Sequence, residues 1–397
     1  MTAINRFVEV GTREGWDAAG EQPRDDREEL ASEVLAVVEE ANRTGAWREL
    51  RTAFPPAHEP FARRLRELAI GIGDPRWVDD AHVVARVGTA WRPEAVVEFG
   101  VDGEYAATDA LAAGRSPDRR WFAIAREQEV EIRDGFRGAV AATLPLSDSG
   151  EPAIKLQPFP DGREVLVTRG DGVFVLGSDG WRRLPFHFDE DEEGDDEQDR
   201  SFSMIHAAMS PDGRLIAIGH QSSSHVILNR DGRRVAEFGP IHSEYPHHAA
   251  FSADGAHVIV NACHFYNGVT MIGRVSDVAG LDLEPYHEAP CLRVLDKGCR
   301  VYASTFHRDL VLLGDAYGYV RAFGLDGQAA WQLFCGSSIG GIDVSPDGRK
   351  LAVATAAGYL QLYEMDVDEP DPFQIGTARH HELIRFVRWK DRPMLRW

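Results

Sequence analysis

Positive charge is scarce in this chain. Its 43 Lys and Arg residues face 64 Asp and Glu, a formal net charge of −21. A surface of that sign repels phosphate backbones and anionic bilayers, so direct nucleic-acid and membrane-surface binding are excluded as expectations. The partner such a field attracts and steers is a basic protein. The opening residues, Met1 to Phe7, lack a basic segment followed by an apolar run. No stretch approaches the roughly 18 apolar residues of a membrane span. A cytoplasmic protein is therefore expected. The four cysteines, Cys263, Cys291, Cys299 and Cys335, have no paired spacing and read as reduced thiols. Also missing are His-Glu-x-x-His, Cys-x-x-Cys and Gly-x-Ser-x-Gly, and Gly340-Gly341 leads into a strand rather than a phosphate-binding helix. No cofactor and no metal is expected.

What the chain does contain is repetition. Val344-Ser345-Pro346-Asp347-Gly348-Arg349 sits between stretches with the alternation of strands, and its Pro, Asp and Gly suit a tight turn. Versions of the phrase carry a turn Asp at 118, 161, 212, 254, 296, 347 and 391. The fifth is degenerate, and Asp309 is an alternative to Asp296. A repeat of roughly 40–50 residues made of short strands is the mark of a β-propeller blade.

On these Ser-Pro-Asp-Gly-Arg phrases the chain resembles the bacterial WD40-like propeller proteins over about residues 80–397. The resemblance implies an all-β, seven-bladed propeller and says little about activity. The Trp-Asp dipeptide is missing from the third strands, so the Asp-His-Ser/Thr-Trp hydrogen-bond network of eukaryotic WD40 blades is not implied. Residues 78–397 are expected to form the propeller, closed by both ends of the repeat region. In that scheme Ile384–Trp389 and Met394–Trp397 supply two strands of a blade completed by His82–Val87 and Ala95–Phe99. Residues 1–77 are expected to be a loose arm over 1–24 and then three helices. These run from Asp25 or Asp26 to Thr44, over Ala46–Ala53, and from His58 to Ile70, stopped at Gly71–Pro75.

Candidate functional residues fall into three groups. His206 and His248 each lie six residues before a turn Asp, which places them on channel-lining strands of neighbouring blades, with His247 beside them. Asp189, Glu190, Asp191, Glu192, Glu193, Asp195, Asp196 and Glu197 belong to an acidic run at a blade junction, suited to attracting a basic partner. His264, Phe265 and Tyr266 form a polar, aromatic excursion in place of a short turn, as recognition surfaces often do. The expected function is non-catalytic binding of a basic protein, one form being an immunity protein that neutralises a toxin such as a nuclease. The alternative is a propeller enzyme, a lactonase-like hydrolase or a lyase, with chemistry at the channel mouth.

Overall fold

The Ser-Pro-Asp-Gly phrase folds as a self-contained hydrogen-bond unit. In the copy at 345–348, Ser345 Oγ donates to Asp347 Oδ1 (2.5 Å) and accepts the Lys350 N–H (2.9 Å). Asp347 Oδ1 also accepts the Arg349 N–H (2.9 Å), and Gly348 takes φ 71°, a left-handed value that favours glycine. The same bonds recur around Ser210/Asp212 and Ser252/Asp254. Each such turn reverses a channel-lining strand into the second strand of a blade.

A computed structural model describes residues 2–24, 27–56, 59–89, 92–146, 153–185, 202–240, 245–265 and 267–397. Its strands form seven sheets, one per blade, antiparallel except where Asp282–Leu283 adds a parallel fifth strand beside Arg234–Phe238 of blade 4. The first strands, which face the channel, are Ile72–Trp77, Ala112–Arg115, Ala153–Pro158, His206–Met209, Tyr245–Phe251, Val301–His307 and Ile339–Val344, in blades 1 to 7. Inner strands are buried on both faces, so Val165–Arg169 is buried at every position instead of alternating. The apolar cores lie between blades. Leu166 and Val173 of blade 3 pack with Ala207, Ile216 and Val226 of blade 4, and Val83 and Phe99 of blade 1 pack with Leu360 and Phe386 of blade 7.

Blade 1 differs from its expectation. The segment expected to stop a helix, Gly71–Pro75, instead enters the inner strand Ile72–Trp77, which pairs with His82–Thr89, then Arg92–Gly100 and Tyr105–Ala107. Blade 1 is thus built entirely from one stretch. His381–Val387 is the outer strand of blade 7, and Leu395–Arg396 adds a fifth strand beyond it. Beyond the shared apolar core, the main chains of the two ends of the repeat region meet through a β-bridge between Ala69 and Trp389, flanked by Ile70 N–H to Arg388 O (3.2 Å) and Lys390 N–H to Leu68 O (2.8 Å). A shared blade is not formed. Asp391 (φ 58°) is the turn before the added strand, not a blade's first turn, and Asp79 fills the missing place by accepting the Ala81 and His82 N–H groups. Of the two choices for the fifth copy, Asp309 lies in the first turn of blade 6, whereas Asp296 belongs to an outer strand of blade 5.

Most of residues 2–24 is helical rather than a loose arm, with helices at Thr2–Glu14 and Trp16–Ala19. The next helices are Ala31–Thr44 and Trp47–Ala53, and the expected third one shortens to Phe61–Arg64 with a 3₁₀ turn at Arg66–Leu68. These helices cover the outer edge of blade 7. Leu35, Val38 and Phe61 pack on Trp389, Leu395 and Trp397. Asn42 binds both main-chain groups of Arg396, donating to its carbonyl and accepting its N–H (2.8 Å each). An unpaired strand edge is thereby capped by a side chain. Asn42→Ala should cost about 1–2 kcal/mol, because the Arg396 groups lose their partners. Urea denaturation measures this, and an unchanged midpoint would mean water replaces the clamp.

Candidate partner face and central channel

Strand alternation divides the turns between two faces. The Ser-Pro-Asp-Gly turns lie on one face, while the second-to-third-strand hairpins and the inter-blade connections lie on the other. On that second face blades 5 and 6 leave four large aromatic side chains exposed: Phe265 (70%), Tyr286 (63%), Tyr317 (48%) and Tyr302 (37%). Phe265 stands at the tip of a hairpin whose last pairs are Cys263 with Gly268 and His264 with Asn267. The strand pairing therefore continues as far as His264 and Asn267. His264 is exposed and stacks on Tyr245 (6.0 Å between ring centroids), and Phe265 meets His264 edge-on at 4.7 Å. Tyr317 Oη donates to Asn267 Oδ1 (3.3 Å), tying blade 6 to this hairpin. Tyr266 and the acidic residues 189–197 lie outside the described residues.

Next to the aromatics, a cavity of about 710 Å³ opens between blades 4 and 5. Tyr245 and Tyr286 line it together with Glu237, Asp282 and Glu284, against one cation, Arg234. Arg234 is held by Glu237 and lies 3.5 Å from Asp282, which leaves the pocket acidic. A Lys or Arg side chain would find carboxylates and two tyrosine rings here, a chemistry suited to ion pairing and cation–π contact.

The structure brings the predicted channel histidines together and adds to them. His206, His247 and His248 are within electrostatic reach of one another, and His206 also faces His225, with 6.3 Å between ring centroids. His206 Nδ1 meets Met204 O at 3.0 Å, His247 Nδ1 meets Val301 O at 2.9 Å, and His248 Nε2 meets Ser304 Oγ at 2.8 Å. Burial pushes all of them down: His206 well below its ordinary value, His247 to about 4, and His225 and His248 to about 3. They are neutral at pH 7. The His248–Ser304 pair has the outline of a base and nucleophile, but among the described residues no carboxylate pairs with His248 to orient it. Lys155 adds to burial in lowering its basicity. Among the described residues, no group of three or more His, Cys, Asp or Glu side chains is placed to hold a metal.

The most heavily bonded group in the channel went unrecognised in the sequence. Asp343, on the inner strand of blade 7, accepts the Trp77 N–H through Oδ2 (2.8 Å) and Arg115 through Oδ1 (2.9 Å), with Arg119 at 3.2 Å. Its own carbonyl accepts Trp77 Nε1–H (3.1 Å), while Arg115 also donates to Trp77 O (2.8 Å). One carboxylate thus joins blades 7, 1 and 2. Burial raises the Asp343 carboxyl, but Arg115, then Arg119 and Arg76, outweigh it and hold the group below its ordinary range. Gly340 and Gly341 permit the approach: a Cβ at Gly340 would meet Ile72 O at 2.4 Å, and one at Gly341 would meet Pro75 Cδ at 2.3 Å.

The fold has counterparts among solved structures. The chain is similar to the β-propeller domain of Cps50 (Swd1) from Myceliophteria thermophila, with TM-score 0.51, 13% identity, and 72% of this chain and 93% of that one covered. It is equally similar to the WD40 β-propeller domain of Doa1, with TM-score 0.51, 14% identity, and coverage of 73% and 91%. The fold is that of the WD40 propellers. At such identities the likeness concerns fold alone. No protein-family model and no curated protein matches the sequence. Among the described residues, no helix is long and apolar enough to cross a membrane.

Within the WD40-type ring, Lys155 lies six residues before Asp161, the place that His206 and His248 hold before Asp212 and Asp254. Arg115 and Arg76 both lie three residues before their turn Asp, on adjacent blades. The signal for these residues was therefore present in the repeat register. Sister positions such as Met209, Phe251 and Val344 are apolar, so a cation there is a local departure from the pattern.

Proposed function

We propose that this chain is a non-catalytic binding module whose aromatic face receives a basic protein. The observation that carries the reading is the acidic cavity flanked by Tyr245 and Tyr286, beside exposed Phe265, Tyr302 and Tyr317. Aromatic side chains are enriched among the residues that dominate interface energies. The net charge of −21 supplies steering over and above the contact surface. A toxin such as a cationic nuclease, met in the cytoplasm, has the chemistry this face would take, and occluding it would make the chain an immunity protein. The acidic residues 189–197 would add to the attraction.

The test begins with affinity purification of the tagged protein and identification of what co-elutes. Association and dissociation rates of the purified pair are then measured from low to high salt. The association rate should fall steeply as the Debye length shortens from about 10 Å at 0.1 M to about 3 Å at 1 M, with dissociation changing less. Phe265→Ala with Tyr286→Ala should weaken binding at least tenfold, about 1.4 kcal/mol. A partner whose association ignores salt, or whose affinity survives the double substitution, would overturn the reading.

A further inference from the structure

The mouth of the channel on the Ser-Pro-Asp-Gly face opens into a second cavity of about 350 Å³, and its charge is opposite to that of the molecule. Arg76, Arg115, Arg119, Lys155 and Arg308 line it, against a single lining carboxylate, Asp343, and Arg308 is ion-paired at 3.0 Å with Asp366, which does not line it. Asp343 is committed to Arg115 and Arg119. A further carboxylate, Asp74, is ion-paired with Arg86 at 2.6 Å and acts on Arg76 and Lys155 only at longer range. Arg76 and Lys155 remain, and among the described residues neither forms an ion pair with a carboxylate. Arg76 Nη1 donates to the Pro75 carbonyl (2.8 Å), and Lys155 Nζ reaches only the Ala207 carbonyl at 3.4 Å.

Enclosing surplus cations is costly unless something neutralises them. The cost is visible at Lys155, which burial, and then Arg76, push down to about 8, and at Arg115, which burial lowers to about 10. Two neutral groups stand on the same walls, Gln157 and His307. Each has a buried side-chain atom, Oε1 and Nε2 respectively, without a hydrogen-bond partner among the described residues. Guanidinium forks and one ammonium around a small cavity are the donor set that recognises a phosphate group.

We infer that the channel mouth is a binding site for a small phosphate-bearing anion, held chiefly by Arg76 and Lys155. Arg115 and Arg119, already fixed by Asp343, complete the positive wall. The site is separate from the aromatic face and does not depend on its role.

Isothermal titration with inorganic pyrophosphate, at ionic strength matched with sodium chloride, tests the assignment. One equivalent should bind with a Kd below about 1 mM, and Tm should rise relative to the salt control. A nucleoside diphosphate titrated in parallel tells the source of the phosphate. Equal affinity means the phosphate group alone is read, and preference for pyrophosphate means the cavity also excludes a nucleoside; either supports the site. Lys155→Met and Arg76→Gln should each weaken binding at least tenfold. Lys155→Met removes a poorly partnered buried charge, so it should unfold at the same or higher urea and serves as the folded control. Absence of binding beyond the salt control, or affinity unchanged in both variants, would overturn the proposal.

Discussion

Asp343→Ala should lower the free energy of unfolding by about 3–5 kcal/mol, the cost typical of breaking a buried ion pair by removing one partner. Three losses coincide in that variant. Arg115 is left enclosed without its counter-charge, Arg119 loses one of its acceptors, and the buried Trp77 N–H loses its carboxylate. Asp343→Asn should be nearly as severe, since an amide oxygen can still accept from Trp77 but brings no negative charge. The paired replacement Asp343→Leu with Arg115→Met should recover part of the loss, because apolar substitutes for both members of a buried pair are often near neutral. Urea denaturation of the four proteins measures all of this. An Asp343→Ala variant within 1 kcal/mol of the parent would show that blade packing alone closes the ring.

Acid should unfold this protein earlier than its carboxylates alone would. His206, His220, His225, His247 and His248 are all held neutral in the fold. Burial takes His220 and His247 to about 4, His225 and His248 to about 3, and His206 well below its ordinary value. In the unfolded chain each titrates near about 6.5. Between those values the unfolded state binds more protons, so stability rises with pH across the window and is lost as pH falls below about 6.5. Each group contributes a slope of up to about 1.4 kcal/mol per pH unit, and five give about 7. Set against a total stability of roughly 5–15 kcal/mol, that slope should bring cooperative unfolding by about pH 5. Urea midpoints at pH 7.5, 6.5 and 5.5 give the slope, and His225→Phe, beside Phe238, should reduce it by one proton. A midpoint flat from pH 7.5 to 5.5 would refute the account.

The propeller was legible because its turns are chemical units that depend only on neighbours in sequence. Ser345, Asp347 and Gly348 form their bonds within five residues, and so do the copies at 210 and 252. The number of blades came out as seven through two offsetting misreadings. Asp391 resembles a blade turn but serves the extra strand, whereas Asp79 serves blade 1 without the Ser-Pro-Gly around it. The break at Gly71–Pro75 looks like a helix stop because a Gly-Asp-Pro sequence disrupts either period equally well.

The channel was half legible. His206 and His248 stood out as histidines at equivalent positions, but Lys155, at the same place in its own repeat, was not singled out. Nothing local announces that Asp343 and Arg115, 228 residues apart, share a hydrogen bond. Of the described residues on the aromatic face, His264 and Phe265 were legible. Tyr286, Tyr302 and Tyr317 come from three separate segments, and their grouping is a product of the ring.

The chain passes covalently from each blade to the next at six of the seven joints, and at the joint between blades 7 and 1 it does not. The molecule is in effect a split ring, with Asp343 and the Ala69–Trp389 bridge as its latch. Mechanical load on the ring gathers at that gap, since parting there breaks no covalent bond and unfolds no sheet. Arg115 and Asp343 belong both to the latch and to the channel wall, so loosening the gap would remove bonds that also shape the channel.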